Sequence, residues 1–291
     1  MTYFSPLRLD CSAFSFARAV FFRGLLVFIT LGLTVSQAMA DHHGEGNGLD
    51  RWLNGEHRSA ANIARNEFRN PSATLEFFGL EPTMSVIEIN PGGGWYAEVL
   101  APYLSAHGQY YAAHFSPNSP IGYHRPALER FEAKLRQNPE LYGKVTMRHL
   151  YPPQESAIGP ADGADMALTF RNVHNWIMAG QEHDYFAAFF ASLKPGGILG
   201  VVEHRAPEGS GMDIMRTTGY VTEAYVKELA AAAGFEFVDS SEINANPRDS
   251  KDYAEGVWTL PPTFQLGDQD RERYAAIGES DRMTLKFRKP D

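Results

Sequence analysis

Between Ser85 and Leu104 the chain reads SVIEINPGGGWYAEVLAPYL: an apolar run, three consecutive glycines, then a segment with helical spacing at Trp95, Val99 and Tyr103. A strand that passes through a glycine turn straight into a helix cannot close a hairpin. Its next strand must return by a crossover and lie parallel to it. The pattern then repeats. Gln109–Phe115, Val145–Leu150, Asp165–Phe170 and Gly197–His204 read as strands. Pro126–Gln137, Glu182–Leu193 and Thr222–Phe235 read as helices, the first with Leu128, Phe131 and Leu135 on one face. In Asn70–Leu80, Asn70 suits a helix cap, Pro71 the first helical position and Gly79 the exit. Alternating elements of this kind predict an α/β fold, Rossmann-like and doubly wound, with a mostly parallel sheet covered on both faces. The last two strands, EFVDSSEI and RMTLKF, have no convincing crossover helix between them. They read as an antiparallel pair, so the seven-stranded sheet ends on an antiparallel last strand with a long insertion, 244–282, before it. A loop of that length in a compact domain is usually functional or mobile.

The front of the chain reads as a secretory signal. Arg8, Arg18 and Arg23 precede the uncharged run Gly24–Val35, and Ala38–Ala40 fits small-x-small cleavage. The apolar run is short for a membrane span. The expected organisation is a signal peptide over 1–40, a Gly-rich flexible tail over 41–56 and one domain over 57–291. Cleavage after Ala40 implies a periplasmic or secreted protein with no stable membrane span. It also removes Cys11, the only cysteine, so the remainder forms no disulfide and uses no thiolate. The formal charge of −9 becomes about −11 on losing three arginines and one aspartate. That acidity argues against nucleic acid as a partner. Asp41-His42-His43 would give a new amino terminus the square-planar nitrogen set of copper(II) or nickel(II), but the motif is too short to count as a metal site.

VIEINPGGGW and the turn LKPGG at Leu193–Gly197, about 100 residues apart, together with the closing strand pair, resemble the class I S-adenosylmethionine-dependent methyltransferases over roughly residues 57–288. Within that class the chain is similar to signal-peptide-bearing predicted methyltransferases of bacteria. The resemblance implies methyl transfer from S-adenosylmethionine to a small or medium organic acceptor. It implies that Glu88, at the end of the first strand, anchors the glycine loop through backbone N–H groups. Gly92 and Gly94 take the family's second and third glycine positions, and Asn90 replaces the first; Asn tolerates left-handed backbone better than most residues. His114 stands where the family has its ribose-binding carboxylate. Imidazole offers one donor and one acceptor, enough for one ribose hydroxyl.

After the fourth strand, TFRNVHNW brings Asn172, His174 and Asn175 to the crevice where loops at carboxyl ends of parallel strands bind ligands. Asn172 is the expected cofactor contact. His174 is the candidate catalytic residue, because imidazole can take a proton near neutral pH. Glu203 and Arg205 lie near the same crevice and could pair with each other; Trp95 and Tyr96 could flank a ligand, although aromatic residues opening a helix are more often core. Two other functions stay open. Gly92-x-Gly94-x-x-Ala97 also fits a dinucleotide fingerprint, hence an NAD(P)-dependent oxidoreductase, but the acid expected roughly 20 residues on is missing. The other is a non-catalytic or degenerate ligand-binding protein outside the cytoplasm, since this fold does not fix a function.

Overall fold

The structure, a computed structural model, describes residues 48–291. The expected signal peptide and the Asp41-His42-His43 set lie outside the described residues. Two short helical turns, α1 (Asp50–Leu53) and α2 (Ala60–Ile63), lead into α3 (Asn66–Arg69) and α4 (Pro71–Phe78). The core elements then follow, alternating as far as β3, which runs on to β4 without a helix: β1 (Ser85–Ile89), α5 (Ala97–Leu104), β2 (Gln109–Phe115), α6 (His124–Gln137), α7 (Pro139–Tyr142), β3 (Thr146–Leu150) and β4 (Ala164–Phe170). They are followed by α8 (Val173–Ala179), α9 (Glu182–Ser192), β5 (Leu193–His204), α10 (Met212–Thr218), α11 (Glu223–Ala232) and β6 (Glu236–Ser241). A 3-10 turn at Gly256–Thr259 and α12 (Arg271–Ile277) precede β7 (Arg282–Arg288).

The seven strands form one sheet in the order β3-β2-β1-β4-β5-β7-β6. Pairing is parallel from β3 through β5, and β7 runs antiparallel to both β5 and β6. The predicted fold class holds, including the reversed last strand. Side chains alternate across the pleat. Ile87, Ile89, Ala113 and Ala167 enter one core layer with Val173, Phe186 and Leu229 of α8, α9 and α11. Val86, Ala112, Met166 and Leu168 enter the other with Phe78, Val99 and Phe131 of α4, α5 and α6. β6 is the exposed edge, and Glu236 and Asp239 on it oppose pairing with another chain.

Three local expectations are corrected. The tail 41–56 is not free over its second half. Leu49 and Leu53 are buried, because α1 lays them on the α5 side of the core, beside Tyr103 and Leu104. Asn70 occupies the cap position of α4 but does not cap it; held at φ 39°, its amide donates instead to the Ile243 carbonyl. The insertion 244–282 is packed. Asn244, Asp249, Val257, Leu260, Tyr274, Glu279 and Asp281 in it are all buried. Its polar residues bond inside the protein: Asn244 donates to Thr74 and Thr284, and Asp249 accepts from Tyr220 and from the Asp281 N–H.

Candidate active site at the carboxyl ends of the parallel strands

The glycine loop follows β1 and is wound left-handed at three points: Asn90 at φ 46°, Gly92 at 58° and Gly94 at 79°. The glycines serve different ends. A Cβ on Gly94 would come within 2.9 Å of Phe131, so this glycine lets α6 pack against the loop. A Cβ on Gly92 or Gly93 would meet nothing within 4 Å, so these two face open space. That space is a cavity of about 250 Å³ lined by Gly92, Gly93, Asn90, Asn62, Arg69 and Arg171, among others. The side-chain oxygen of Asn90 is buried with no partner.

The loop is held differently from expectation. Glu88 is buried and accepts from the Tyr110 hydroxyl at 2.6 Å, not from loop N–H groups. Burial pushes its carboxyl up to about 7 against the opposing Tyr110 bond. His114 does the holding. Its Nδ1 accepts from the Phe115 N–H at 2.8 Å, which leaves Nε2 as the donor to the Gly92 carbonyl at 3.2 Å. Both ring nitrogens are spent on backbone, so the expected ribose contact is corrected: His114 is a buried clamp on the loop. Burial lowers its pKa to about 4 and keeps it neutral. Lys134 of α6 adds a bond to the Gly93 carbonyl at 3.1 Å.

On the other wall, Asn172 donates to the Ile89 carbonyl at 3.0 Å and to Thr169 at 3.2 Å, tying the loop after β4 to the end of β1. Asn90 and Asn172 also line a second, tighter space of about 40 Å³ on the β2 side, with Phe115, His124, Trp176 and Tyr185. Phe115 and His124 stack there at 3.7 Å as part of its wall. Trp95 belongs to both core and cavity: it is buried, donates to the Asn62 carbonyl, and has the guanidinium groups of Arg58 and Arg69 over its ring at 4.7 and 4.6 Å. Tyr96 is core, stacked on Phe170.

A third cavity, about 160 Å³, lies over β4 and β5 and is lined by Arg171, His174, His204, Trp258, Pro261 and Thr263. His174 is buried in its wall, as expected of a crevice residue. Its partner is Glu203, fully buried, 2.9 Å from Nδ1 and also bound by the backbone N–H of His174 and of His204. The suggested Glu203–Arg205 pair does not form; Arg205 reaches Asp281, Glu242 and Glu223 instead. A carboxylate on Nδ1–H fixes the tautomer and leaves Nε2 as the acceptor, with no protein partner among the described residues. His204 binds the Ser280 hydroxyl through Nδ1. Burial, then the neighbouring His174 and Arg171, pushes its pKa well below the ordinary value. His174, Glu203 and His204 bring donor atoms within 4.8 Å of one another. Both Glu203 oxygens are already taken and Arg171 stands beside the group, so the arrangement suits an oriented base better than a bound cation.

No family model matches the chain, and none of the curated proteins does. Among solved structures it resembles a SAM-dependent methyltransferase from Aquifex aeolicus at TM-score 0.51 and 14% identity, over 77% of this chain and 92% of that one. It also resembles the cyclase SpnF at TM-score 0.52 and 20% identity, over 81% and 85%. The fold is that of the class I S-adenosylmethionine-dependent methyltransferases. At these identities the likeness is one of fold, and the cyclase is itself a reminder that this methyltransferase fold carries more than one chemistry.

Of the residues singled out from the sequence, Asn90, Gly92 and Asn172 share the glycine-loop cavity and His174 lines the neighbouring one. Glu88, Gly94 and His114 support the loop from behind. Sequence reasoning missed Arg171, which lines both cavities, and the basic group around it: Arg65, Arg69 and Arg282. Arg171 sat inside a quoted motif. Only its positive φ of 61° and the lack of a hydrogen bond or ion pair from its side chain among the described residues mark it, and neither is visible in one dimension.

Proposed function

We propose that this protein transfers a methyl group from S-adenosylmethionine to a small or medium organic acceptor, in a periplasmic or secreted setting. The observation that carries the reading is the open cradle at Gly92 and Gly93, next to a cavity lined by His174, on this fold. Asn90, Gly92, Gly93 and Asn172 would hold the amino-acid end of the cofactor, where the orphaned Asn90 oxygen can accept from an ammonium group. When bound, the cofactor supplies an electrophilic methyl on its sulfonium. His174 takes the acceptor's proton at Nε2, and Glu203 orients the ring and steadies the imidazolium.

The fit is good at the amino-acid end and altered at the nucleoside end. There His114 offers no free nitrogen and the space beside it is small. Nucleoside binding therefore requires the 116–124 segment, which carries Tyr123 and His124, to give way. Calorimetry with S-adenosylmethionine and with NAD(P)H tests the reading. Binding of the first and not the second is expected, with methyl transfer to an acceptor panel lost in His174→Gln while cofactor binding persists. Binding of NAD(P)H alone would replace the reading with an oxidoreductase; binding of neither would leave a non-catalytic protein. Export is tested separately by intact mass, a chain beginning at Asp41 being expected.

A further inference from the structure

Four arginines converge where the cavities meet, and they have one carboxylate between them. Glu279 is buried and takes Arg65 at 2.7 Å, Arg69 at 3.1 Å and Arg282 at 3.2 Å. Burial alone would raise its pKa, but Arg69, Arg282, Arg171 and Arg65 outweigh burial and hold it at about 2. Both Glu279 oxygens are thus shared among three guanidinium groups. Arg171 is the fourth. Its side chain has no ion pair and no hydrogen bond to any described residue, and it lines both the glycine-loop cavity and the His174 cavity. Arg69, 3% exposed, lines the first cavity too, and its Nη2 is buried without a partner. The other carboxylate acting on Arg171, Glu203, has its oxygens taken by His174 and by the His204 N–H. A half-buried guanidinium is costly when its nearby carboxylates, Glu279 and Glu203, make their hydrogen bonds to other groups. That cost is offset if a negatively charged ligand completes the group.

We propose that Arg171, with Arg69 beside it, is a carboxylate-binding site at the junction of the two cavities, and that the methyl acceptor is a small organic carboxylate held there. This rests on the methyl-transfer reading and names its substrate class. A planar guanidinium with free N–H groups matches a carboxylate in a two-bond fork. A carboxylate seated on Arg171 leaves the rest of the acceptor in the 160 Å³ cavity, against Trp258 and within the wall that carries His174. The site also balances charge: a cofactor that bears a sulfonium is poorly placed beside surplus arginines, and an anionic acceptor offsets them.

The test titrates the full mature chain with benzoate, with its neutral analogue benzamide and with inorganic phosphate. Each titration is done alone and with saturating S-adenosylhomocysteine, whose own binding is measured first. Benzoate is expected to bind and benzamide not to. Arg171→Asn, which keeps a residue tolerant of left-handed backbone, is expected to bind benzoate at least tenfold more weakly with no loss of thermal midpoint; Arg171→Lys should recover part of the loss. Benzoate and S-adenosylhomocysteine should bind together. Equal binding of benzoate and benzamide, or full benzoate binding in Arg171→Asn, would overturn the site. Tighter binding of phosphate than of benzoate would overturn the carboxylate assignment. Mutual exclusion with S-adenosylhomocysteine would give Arg171 to the cofactor's own carboxylate. Failure of S-adenosylhomocysteine to bind, with benzoate binding intact at Arg171, would sink the methyl-transfer reading and leave the anion site standing.

Discussion

The clamp formed by His114 makes stability depend on pH in a defined window. In the folded protein its pKa falls from the ordinary 6.5 to about 4 because the ring is fully buried. A base whose folded pKa is depressed is neutral in the native state while the unfolded chain still takes a proton. The unfolded state therefore binds more protons between pH 6.5 and 4, and stability falls as pH is lowered through that window, levelling off below 4. From pH 7.5 to 5 the loss assigned to His114 is about 2 kcal/mol. Glu88 works in the opposite sense over a similar range. Its carboxyl is raised to about 7, so its contribution fades as pH rises. The wild-type profile alone would blur the two, and the comparison with His114→Gln separates them. Gln retains a donor near the Gly92 carbonyl and does not titrate. Urea unfolding of both proteins at pH 7.5 and 5 should give a difference in stability between them that shrinks by about 2 kcal/mol at the lower pH. A difference that stays constant would show that His114 is not a buried neutral group, and the account of how the loop is held would fall.

Three other outcomes are expected. Ala at Gly94 meets Phe131 at 2.9 Å as well as an unfavourable φ and should cost about 2–4 kcal/mol, whereas Ala at Gly92 meets only the unfavourable φ and should cost about 1–2 kcal/mol while blocking the cavity; chemical denaturation and cofactor calorimetry on both variants check this. Glu98 is buried and receives Arg58 at 3.1 Å, Lys134 at 2.6 Å and Asn62 at 2.9 Å, so Glu98→Ala should lose about 3–5 kcal/mol in urea unfolding by stranding Arg58. Glu203→Gln should lower turnover and shift its pH profile while leaving the affinity for S-adenosylmethionine within about twofold, because the carboxylate acts through His174 and not on the cofactor.

What was legible in one dimension is what local rules govern. The order of strands and helices followed from apolar period and glycine punctuation, because Ile87 and Ile89 on one face and Val86 on the other must each find a covering layer whatever the rest of the chain does. The reversed last strand followed from reading no crossover helix between the last two strands; α12 does lie between them, but β7 still returns antiparallel to β6. The left-handed glycine loop was equally local, since few residues tolerate the φ values seen at Asn90, Gly92 and Gly94. The roles of the site residues were not local. His114 was placed correctly at the end of β2, but which atoms its nitrogens meet depended on how the glycine loop folds back over it from 22 residues away. Glu203 chose His174 over Arg205 because α8 delivers an N–H and an imidazole to the end of β5, while the insertion delivers Asp281 to Arg205. The arginine group was invisible for the same reason. Arg65 and Arg69 precede the sheet, Arg171 follows β4 and Glu279 and Arg282 close the insertion, so the surplus charge exists only once the sheet has brought three distant segments together. Burial and charge pairing are properties of a three-dimensional neighbourhood, and only the tertiary structure decided them.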